Sequence, residues 1–186
     1  MYYMELDVKS PLNWEVFVTP GIPVASSDVP PGQKQRTYSP ISSTLVYGKH
    51  DAVLVDTFLT AEQSNDLVKW VAASGKNLTT IYITHGHGDH WFGTGALLSH
   101  FLNARAVATP DVVRSMRQLS SPDFITNWNL QFPNQIPNQL VIADELKGNK
   151  RARFDFLAPS QQIPVNVSHQ GRIRYYEYQA NDLLIS

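Results

Sequence analysis

The pattern of hydrophobic and polar positions predicts strands in the first third of the chain. Residues Trp14 to Val18 alternate as a strand does, and the stretch from Gly21 to Gln35 is predicted to be a loop. The apolar runs Ser43 to Tyr47 and Ala52 to Asp56 flank the turn residues Gly48 to Asp51, which predicts a hairpin. Because the second run is continuously apolar, its strand is expected to be buried on both faces.

Helices and strands are predicted to alternate from Thr60 onward. Thr60 and Gln63 form a capping-box pattern at the start of a helix that is expected to end at Gly75. The further predicted elements are a strand over 78–84, a helix that starts near Ala96 and reaches Phe101, a strand over 105–108, and a helix from Pro110 to about Leu119 behind the N-cap Thr109. This alternation predicts the α/β fold class.

The character of the chain changes after the last of these helices. Between Ser120 and Leu140, Asn and Gln side chains are interleaved with Phe124, Trp128 and Phe132. We predict that this stretch is a long polar and aromatic loop or lid. The final run, Asp182 to Ser186, is apolar and predicts a strand.

Composition narrows the possible functions. The chain has 186 residues, of which 42% are hydrophobic and 17% charged, and we expect one globular domain over 1–186. A net charge of -1 provides no basic surface, so we expect no nucleic-acid partner. The chain has neither a signal-peptide pattern nor an apolar window of membrane-spanning length, so we expect a soluble, cytoplasmic protein with no membrane partner. Because it has no cysteine, any transition metal must be bound by His, Asp or Glu.

The stretch from Thr84 to His90 carries the candidate chemistry and follows a predicted buried strand. Three of the six histidines, His85, His87 and His90, lie here together with Asp89. His85 and His87 are two positions apart, so in extended backbone they project to the same side and can chelate one ion. A glycine turn can carry Asp89 and His90 to an adjacent point. Imidazole and carboxylate ligands without thiolates suit zinc or iron, and the loop predicts a site for one or two ions.

Residues 81–93, IYITHGHGDHWFG, resemble the HxHxDH signature of the metallo-β-lactamase fold superfamily. The resemblance covers roughly Ser39 to Met116, because the hairpin, the first helix and the strand before Thr109 follow in the order of that family. It implies an αββα sandwich with a metal site along one edge, which is binuclear in most members. It also implies a hydrolase in which a metal-bound hydroxide attacks the carbonyl of a small ester, lactone, thioester or lactam.

The resemblance also implies roles for individual residues. His85 and His87 would bind the first metal, and Asp89 and His90 the second, with Asp89 also orienting the bridging hydroxide. The implied metal is Zn²⁺, as one or two ions, with Fe or Mn as alternatives. Asp56, at the end of its strand, resembles the acid that orients the ligand loop in this family. The alternative for Asp56 is a strand-terminal residue that accepts backbone hydrogen bonds.

The family has further metal ligands after this loop, and the chain offers few candidates for them. His169 follows an apolar, strand-like stretch, as the third histidine of the first site does in this family, although an exposed turn histidine is the alternative. The run Asp182 to Ser186 resembles the strand that leads to the bridging Asp, and neither that Asp nor the last His of the family has a candidate. We therefore expect a domain whose second half is incomplete. Two hypotheses follow: a hydrolase of small molecules, or a truncated, catalytically inactive metal-binding remnant.

Overall fold

The computed structural model describes residues 12–146, and the backbone of 175–178 and 182–185. Its strands are β1 (Asn13–Val18), β2 (Ile22–Pro23), β3 (Thr37–Tyr38), β4 (Ser42–Tyr47), β5 (Asp51–Val55), β6 (Asn77–Tyr82), β7 (Arg105–Ala108), β8 (Asp144–Glu145), β9 (Tyr175–Tyr178) and β10 (Asp182–Ile185). Its α-helices are α1 (Ala61–Ala73), α2 (Thr94–His100), α3 (Pro110–Leu119) and α4 (Pro122–Gln131). A 3₁₀ turn covers Gly88–His90.

A six-stranded mixed sheet organises residues 12–146, with the strand order β1-β4-β5-β6-β7-β8. The pairs β1–β4 and β4–β5 are antiparallel, whereas β5, β6, β7 and β8 run parallel. The predicted hairpin is confirmed, since Thr44 pairs with Val55 and Tyr47 with Ala52. The strand predicted for the last residues is also confirmed, because β10 pairs antiparallel with β9. With the helices that connect the parallel strands, the sheet confirms the α/β fold class.

Strand β5 is buried on both faces, as its continuous apolar run predicts. Ala52 and Leu54 belong to the hydrophobic core that includes residues of the helices. Val53 and Val55 point to the opposite face, where they are 3% and 5% exposed. The strand therefore lies inside the molecule, and the residue that follows it, Asp56, is also buried.

Helix α1 begins at the predicted capping box. The Thr60 hydroxyl accepts from the Gln63 backbone N–H, and the Gln63 side chain accepts from the Thr60 N–H, each at 3.2 Å. Leu67 and Val71, one turn apart on the same side of the helix, are fully buried in the core. The cap and the apolar side of α1 fix the direction in which the chain leaves β5.

The prediction of a long loop between Ser120 and Leu140 is wrong for its first half, where α4 forms. The helix begins at Pro122 behind the N-cap Ser121, and Pro at the first helical position is favourable because it needs no N–H partner there. Irregular backbone returns after Phe132, whose side chain is fully buried. This segment therefore contributes a helix and an aromatic anchor to the fold.

The parallel strands β5 and β6 bring two chemically important segments to one edge of the sheet. Asp56 follows β5, and Thr84 and the histidine-rich loop follow β6. The carboxyl ends of neighbouring parallel strands are the usual location of sites in open α/β sheets.

Candidate metal centre

The histidine-rich loop is held by close packing at its two glycines. A Cβ atom at Gly86 would lie 2.9 Å from the backbone nitrogen of Met116 in α3. A Cβ atom at Gly88 would lie 2.5 Å from the ring of Phe92. Both positions therefore require glycine, because any larger residue would push the loop away from α3 or from Phe92.

Two further contacts fix where the loop ends. The indole Nε1 of the fully buried Trp91 donates to the Gly86 carbonyl at 2.9 Å. The Thr57 backbone N–H donates to the His90 carbonyl at 2.8 Å, which ties the end of the loop to the residue after Asp56. The loop is thus attached to the core and to the neighbouring strand end.

Asp56 forms hydrogen bonds with two other residues of the site, Thr84 and His90. Its Oδ1 accepts from the Thr84 backbone N–H at 2.8 Å, and its Oδ2 accepts from the Thr84 hydroxyl at 2.7 Å. The same Oδ2 lies 2.9 Å from His90 Nδ1. Both carboxylate oxygens are therefore engaged. These contacts favour an orienting role for Asp56 over direct ligation of a metal.

The Thr84 hydroxyl connects Asp56 to His85 through two hydrogen bonds. The hydroxyl has one proton, which goes to the acceptor-only carboxylate of Asp56, so its oxygen accepts from His85 Nδ1 at 3.0 Å. His90 Nδ1 likewise donates to Asp56. In this hydrogen-bond arrangement both rings carry a proton on Nδ1 and present the lone pair of Nε2, as metal-binding imidazoles require.

Asp56 takes an unusual backbone conformation to reach this position. Its φ is 62°, in the left-handed region that Asp tolerates better than most residues. The Asp56 N–H donates to the Tyr82 carbonyl at 2.8 Å. The buried Ser43 hydroxyl donates to the carbonyls of Asp56 and Val55, at 2.8 and 3.1 Å. Sequence reasoning missed Ser43, because a serine within a strand carries no local signal of this contact.

The four loop residues predicted as ligands lie close together. The His85 ring centroid is 3.9 Å from that of His90 and 4.9 Å from that of His87. Asp89 Oδ2 lies 3.5 Å from His90 Nε2. One potential ligand atom from each of Asp56, His85 and His90 lies within 4.8 Å of the other two. The predicted fifth ligand, His169, lies outside the described residues.

The donor set fits a divalent transition metal. The site offers imidazole nitrogens and carboxylate oxygens, and the chain has no cysteine to supply a thiolate. The His85 and His90 rings are oriented through their Nδ1 atoms. This combination of nitrogen and oxygen ligands suits Zn²⁺, and Fe or Mn less specifically.

The two central histidines have pKa values shifted in opposite directions. Burial lowers the pKa of His85, and the neighbouring charge of His90 lowers it further, against the opposing charges of Asp56 and Asp89. Burial also acts to lower the pKa of His90. There, however, the hydrogen bond and charge of Asp56, with the charge of Asp89, outweigh burial and raise the pKa. His85 is therefore the more readily available neutral ligand near neutral pH.

Tyr38 completes the described surroundings of the loop, and sequence reasoning missed it. Its hydroxyl donates to Asp89 Oδ2 at 3.0 Å. Burial, followed by the charge and hydrogen bond of Asp89, raises the pKa of Tyr38 far above the ordinary value for a phenol. Tyr38 therefore remains a protonated donor throughout the physiological range.

Comparison with known proteins identifies the family. A model of the metallo-beta-lactamase superfamily matches residues 36–146, which is more than half of the chain. The chain belongs to this superfamily. The match contains the histidine-rich loop, Asp56 and Tyr38, so the site lies within the part of the chain that defines membership.

Curated proteins and solved structures resemble only part of this chain. The hydroxyacylglutathione hydrolases of two Francisella tularensis subspecies, tularensis and mediasiatica, are each 36% identical over 64 residues, which is 34% of this chain and 24% of the relative. BLEG-1, a B3 metallo-beta-lactamase, is 18% identical with a TM-score of 0.46, over 75% of this chain and 57% of that one. FIM-1 of Pseudomonas aeruginosa, in its mono-zinc form, is 17% identical with a TM-score of 0.47, over 80% and 52%. The chain thus spans about a quarter of the curated relatives' length.

None of the helices in the described part of the chain is long and apolar enough to cross a bilayer.

Proposed function

We propose that this superfamily member is a metal-dependent hydrolase that acts on the carbonyl of a small ester, lactone, thioester or lactam. The proposal rests on the hydrogen bonds that Asp56 makes with Thr84 and His90. One buried carboxylate orients His90 directly and His85 through Thr84, and both Nε2 lone pairs remain available. A structural histidine does not need this arrangement, whereas a metal ligand does.

The proposal assigns the ligands as the family resemblance does. His85 and His87 bind one ion, Asp89 and His90 bind a second, and His169 supplies a further ligand to the first. Zn²⁺ is the proposed metal, with Fe or Mn as alternatives. The support in the described residues is the short spacing of the three rings and the 3.5 Å approach of Asp89 Oδ2 to His90 Nε2.

The metal, when bound, supplies a Lewis acid for the carbonyl oxygen and activates the attacking water. The residues of the chain place these groups. Asp89 has one oxygen against Tyr38, and we assign its other oxygen, Oδ1, to accept a hydrogen bond from the attacking water. Asp56 and Thr84 keep the His90 and His85 rings from rotating during the reaction.

The substrate class is also a proposal. The curated relatives are named for hydroxyacylglutathione, and we include that compound among the substrates for this chain. A small molecule is the expected partner, since the net charge of -1 offers no general attraction for nucleic acid. A cytoplasmic location stays a prediction from the sequence.

Metal analysis combined with an activity panel tests the proposal. We expect about two metal ions per purified chain, and hydrolysis of at least one of a lactone, a lactam, a simple ester and hydroxyacylglutathione that a chelator abolishes. His85→Ala should lose metal and activity. His50→Ala, at an exposed histidine in the β4–β5 turn, should keep both. Substoichiometric metal in the parent protein with no turnover on the panel would favour the inactive remnant instead.

The role of His169 has its own test. If it is the further ligand, His169→Ala should lower the metal content, while unchanged loading relative to the parent protein would show that it is a bystander.

A further inference from the structure

Tyr38 reaches the candidate metal centre from outside the histidine-rich loop. It lies in β3, 51 positions before Asp89, and its hydroxyl donates to Asp89 Oδ2 at 3.0 Å. Asp89 is 9% exposed, and a carboxylate buried to this degree needs hydrogen-bond donors to compensate for lost water. Among the residues that the structure describes, Tyr38 is the side chain that donates a hydrogen bond to the Asp89 carboxylate.

The Tyr38 ring is held by aromatic side chains of α4 and its C-terminal end. The ring centroids of Phe132 and Trp128 lie 5.5 and 6.0 Å from that of Tyr38, both in edge-on geometry. Trp128 also lies 6.1 Å from Phe92, the residue that packs against Gly88. We call Tyr38, Phe92, Trp128 and Phe132 the aromatic cluster. Because a tyrosine has two side-chain torsions, a ring fixed by this cluster also fixes its hydroxyl.

We propose that Tyr38 is a positioning residue for Asp89 and that it couples the orientation of this carboxylate to helix α4. The inference rests on the proposed function, in which Asp89 is a metal ligand. The Tyr38 hydroxyl donates to Oδ2, which lies 3.5 Å from His90 Nε2, so this hydrogen bond fixes the carboxylate oxygen that faces the metal-binding nitrogen of His90. Displacement of α4 would move the Tyr38 ring and thereby release this hydrogen bond.

The substitution Tyr38→Phe tests the hydrogen bond while it keeps the ring. The aromatic cluster should stay packed, and Asp89 should lose the hydroxyl donor of Tyr38 and rotate more freely. Partners that orient ligands typically contribute about 10- to 100-fold in metal affinity. We therefore expect Tyr38→Phe to weaken zinc binding at the site assigned to Asp89 and His90 by about that factor, and to change the visible absorption of the Co²⁺-loaded protein.

Tyr47→Phe is the matched control. The Tyr47 hydroxyl also donates to a carboxylate, Glu15 Oε1 at 2.7 Å, but at an exposed position on β4. Affinities would be measured by equilibrium competition with a chromophoric chelator, and thermal unfolding of the metal-free proteins would compare the folds. Zinc affinity and a Co²⁺ spectrum equal to those of the parent and of Tyr47→Phe would overturn the inference and leave the proposed function standing. A parent protein that binds no metal would overturn both.

A double-mutant cycle tests the coupling to α4. Trp128→Ala should weaken zinc binding several-fold in the parent protein and should have little further effect in Tyr38→Phe, because its influence passes through the hydroxyl that is already missing. Leu130→Ala, at a residue of α4 that is 67% exposed, should leave zinc affinity unchanged in both backgrounds. Additive losses from Trp128→Ala and Tyr38→Phe would show that α4 does not act through Tyr38. If Tyr38→Phe is less stable than the parent protein, the cycle still tests the coupling, because thermal unfolding and zinc affinity are measured separately.

Discussion

Asp56 can be replaced by Asn, which has nearly the same shape but different hydrogen-bonding groups. In Asp56→Asn an amide NH₂ replaces one acceptor oxygen and faces the donors of Thr84 or His90, so one ring loses the partner that fixes its tautomer. We expect zinc affinity to fall by about 10- to 100-fold, measured by chelator competition. Asp51→Asn is the control, since Asp51 accepts from Asn77 at the exposed start of β5. Equal affinities in the two variants would contradict the orienting role of Asp56.

His85 and His90 should titrate apart in the metal-free protein. The ordinary histidine pKa is 6.5, and we expect the midpoint of His90 above it and that of His85 below it, measured by NMR on labelled histidine. Because the folded state raises the pKa of His90, its contribution to stability is fully present below pH 6.5 and is lost as pH rises through the raised value. His85 has the opposite sign, and its lowered pKa costs stability as pH falls below 6.5.

Asp56→Asn provides the internal check on these assignments. It should lower the midpoint of His90 by removing the hydrogen bond and charge that raise it. An unchanged midpoint would mean that another group controls His90.

At the residue scale, the sequence identifies site residues that lie close together in the chain. The cluster from His85 to His90 stands out because its members are neighbours in the chain, and Asp56, at the end of its strand, was assigned by its resemblance to the acid that orients the ligand loop in this family. Ser43 and Tyr38 were missed, since their partners lie 13 and 51 positions away. Contacts over such separations depend on the completed fold.

At the scale of single elements, the N-cap of α1 is a measurable source of stability. Thr60 satisfies a backbone N–H through its hydroxyl, whereas Ser121, the N-cap of α4, makes no side-chain capping bond. We expect Thr60→Ala to lower the free energy of unfolding by about 1 kcal/mol and Ser121→Ala by clearly less, both measured in urea. Thr60→Ser should restore most of the loss. Equal effects of the two alanine substitutions would contradict the structural difference between the caps.

The same pair of helices shows why one element was predicted and the other missed. Helix α1 buries Leu67 and Val71, and this burial produces the periodic pattern on which sequence prediction depends. Helix α4 has no fully buried residue, so its apolar positions leave only a weak pattern. The remaining signal was Ser121-Pro122, which repeats the Thr109-Pro110 start of α3. A cap and proline pair was thus more informative here than hydrophobic periodicity.

At the scale of the whole molecule, we expect residues 1–186 to behave as one domain. The prediction is a single thermal transition with coincident midpoints by near- and far-UV circular dichroism. Zinc at about a hundred times its Kd should stabilise the protein by about 2.7 kcal/mol if it binds the folded state alone. Two separated transitions would contradict the single domain. A midpoint that zinc does not move would contradict a site formed by folding.

The fold class and the family were accessible from the sequence because both depend on order along the chain. The hairpin, the helix, the strand and the histidine-rich loop follow one another as predicted, and the hairpin and the strand lie in the six-stranded sheet. The mutual distances of the ligand atoms were not accessible, since they depend on how β5 and β6 align and on the packing at Gly86 and Gly88.

The left-handed backbone at Asp56 has a consequence for how this protein can change over generations. A φ of 62° favours Gly, Asn and Asp, and among these only Asp offers an acceptor-only carboxylate to the two histidines. In the genetic code, a single-base change converts either Asp codon into an Asn codon. A lineage can therefore keep the backbone and weaken the metal site in one mutational step. We therefore expect some descendants of this protein to fold normally but to bind metal weakly.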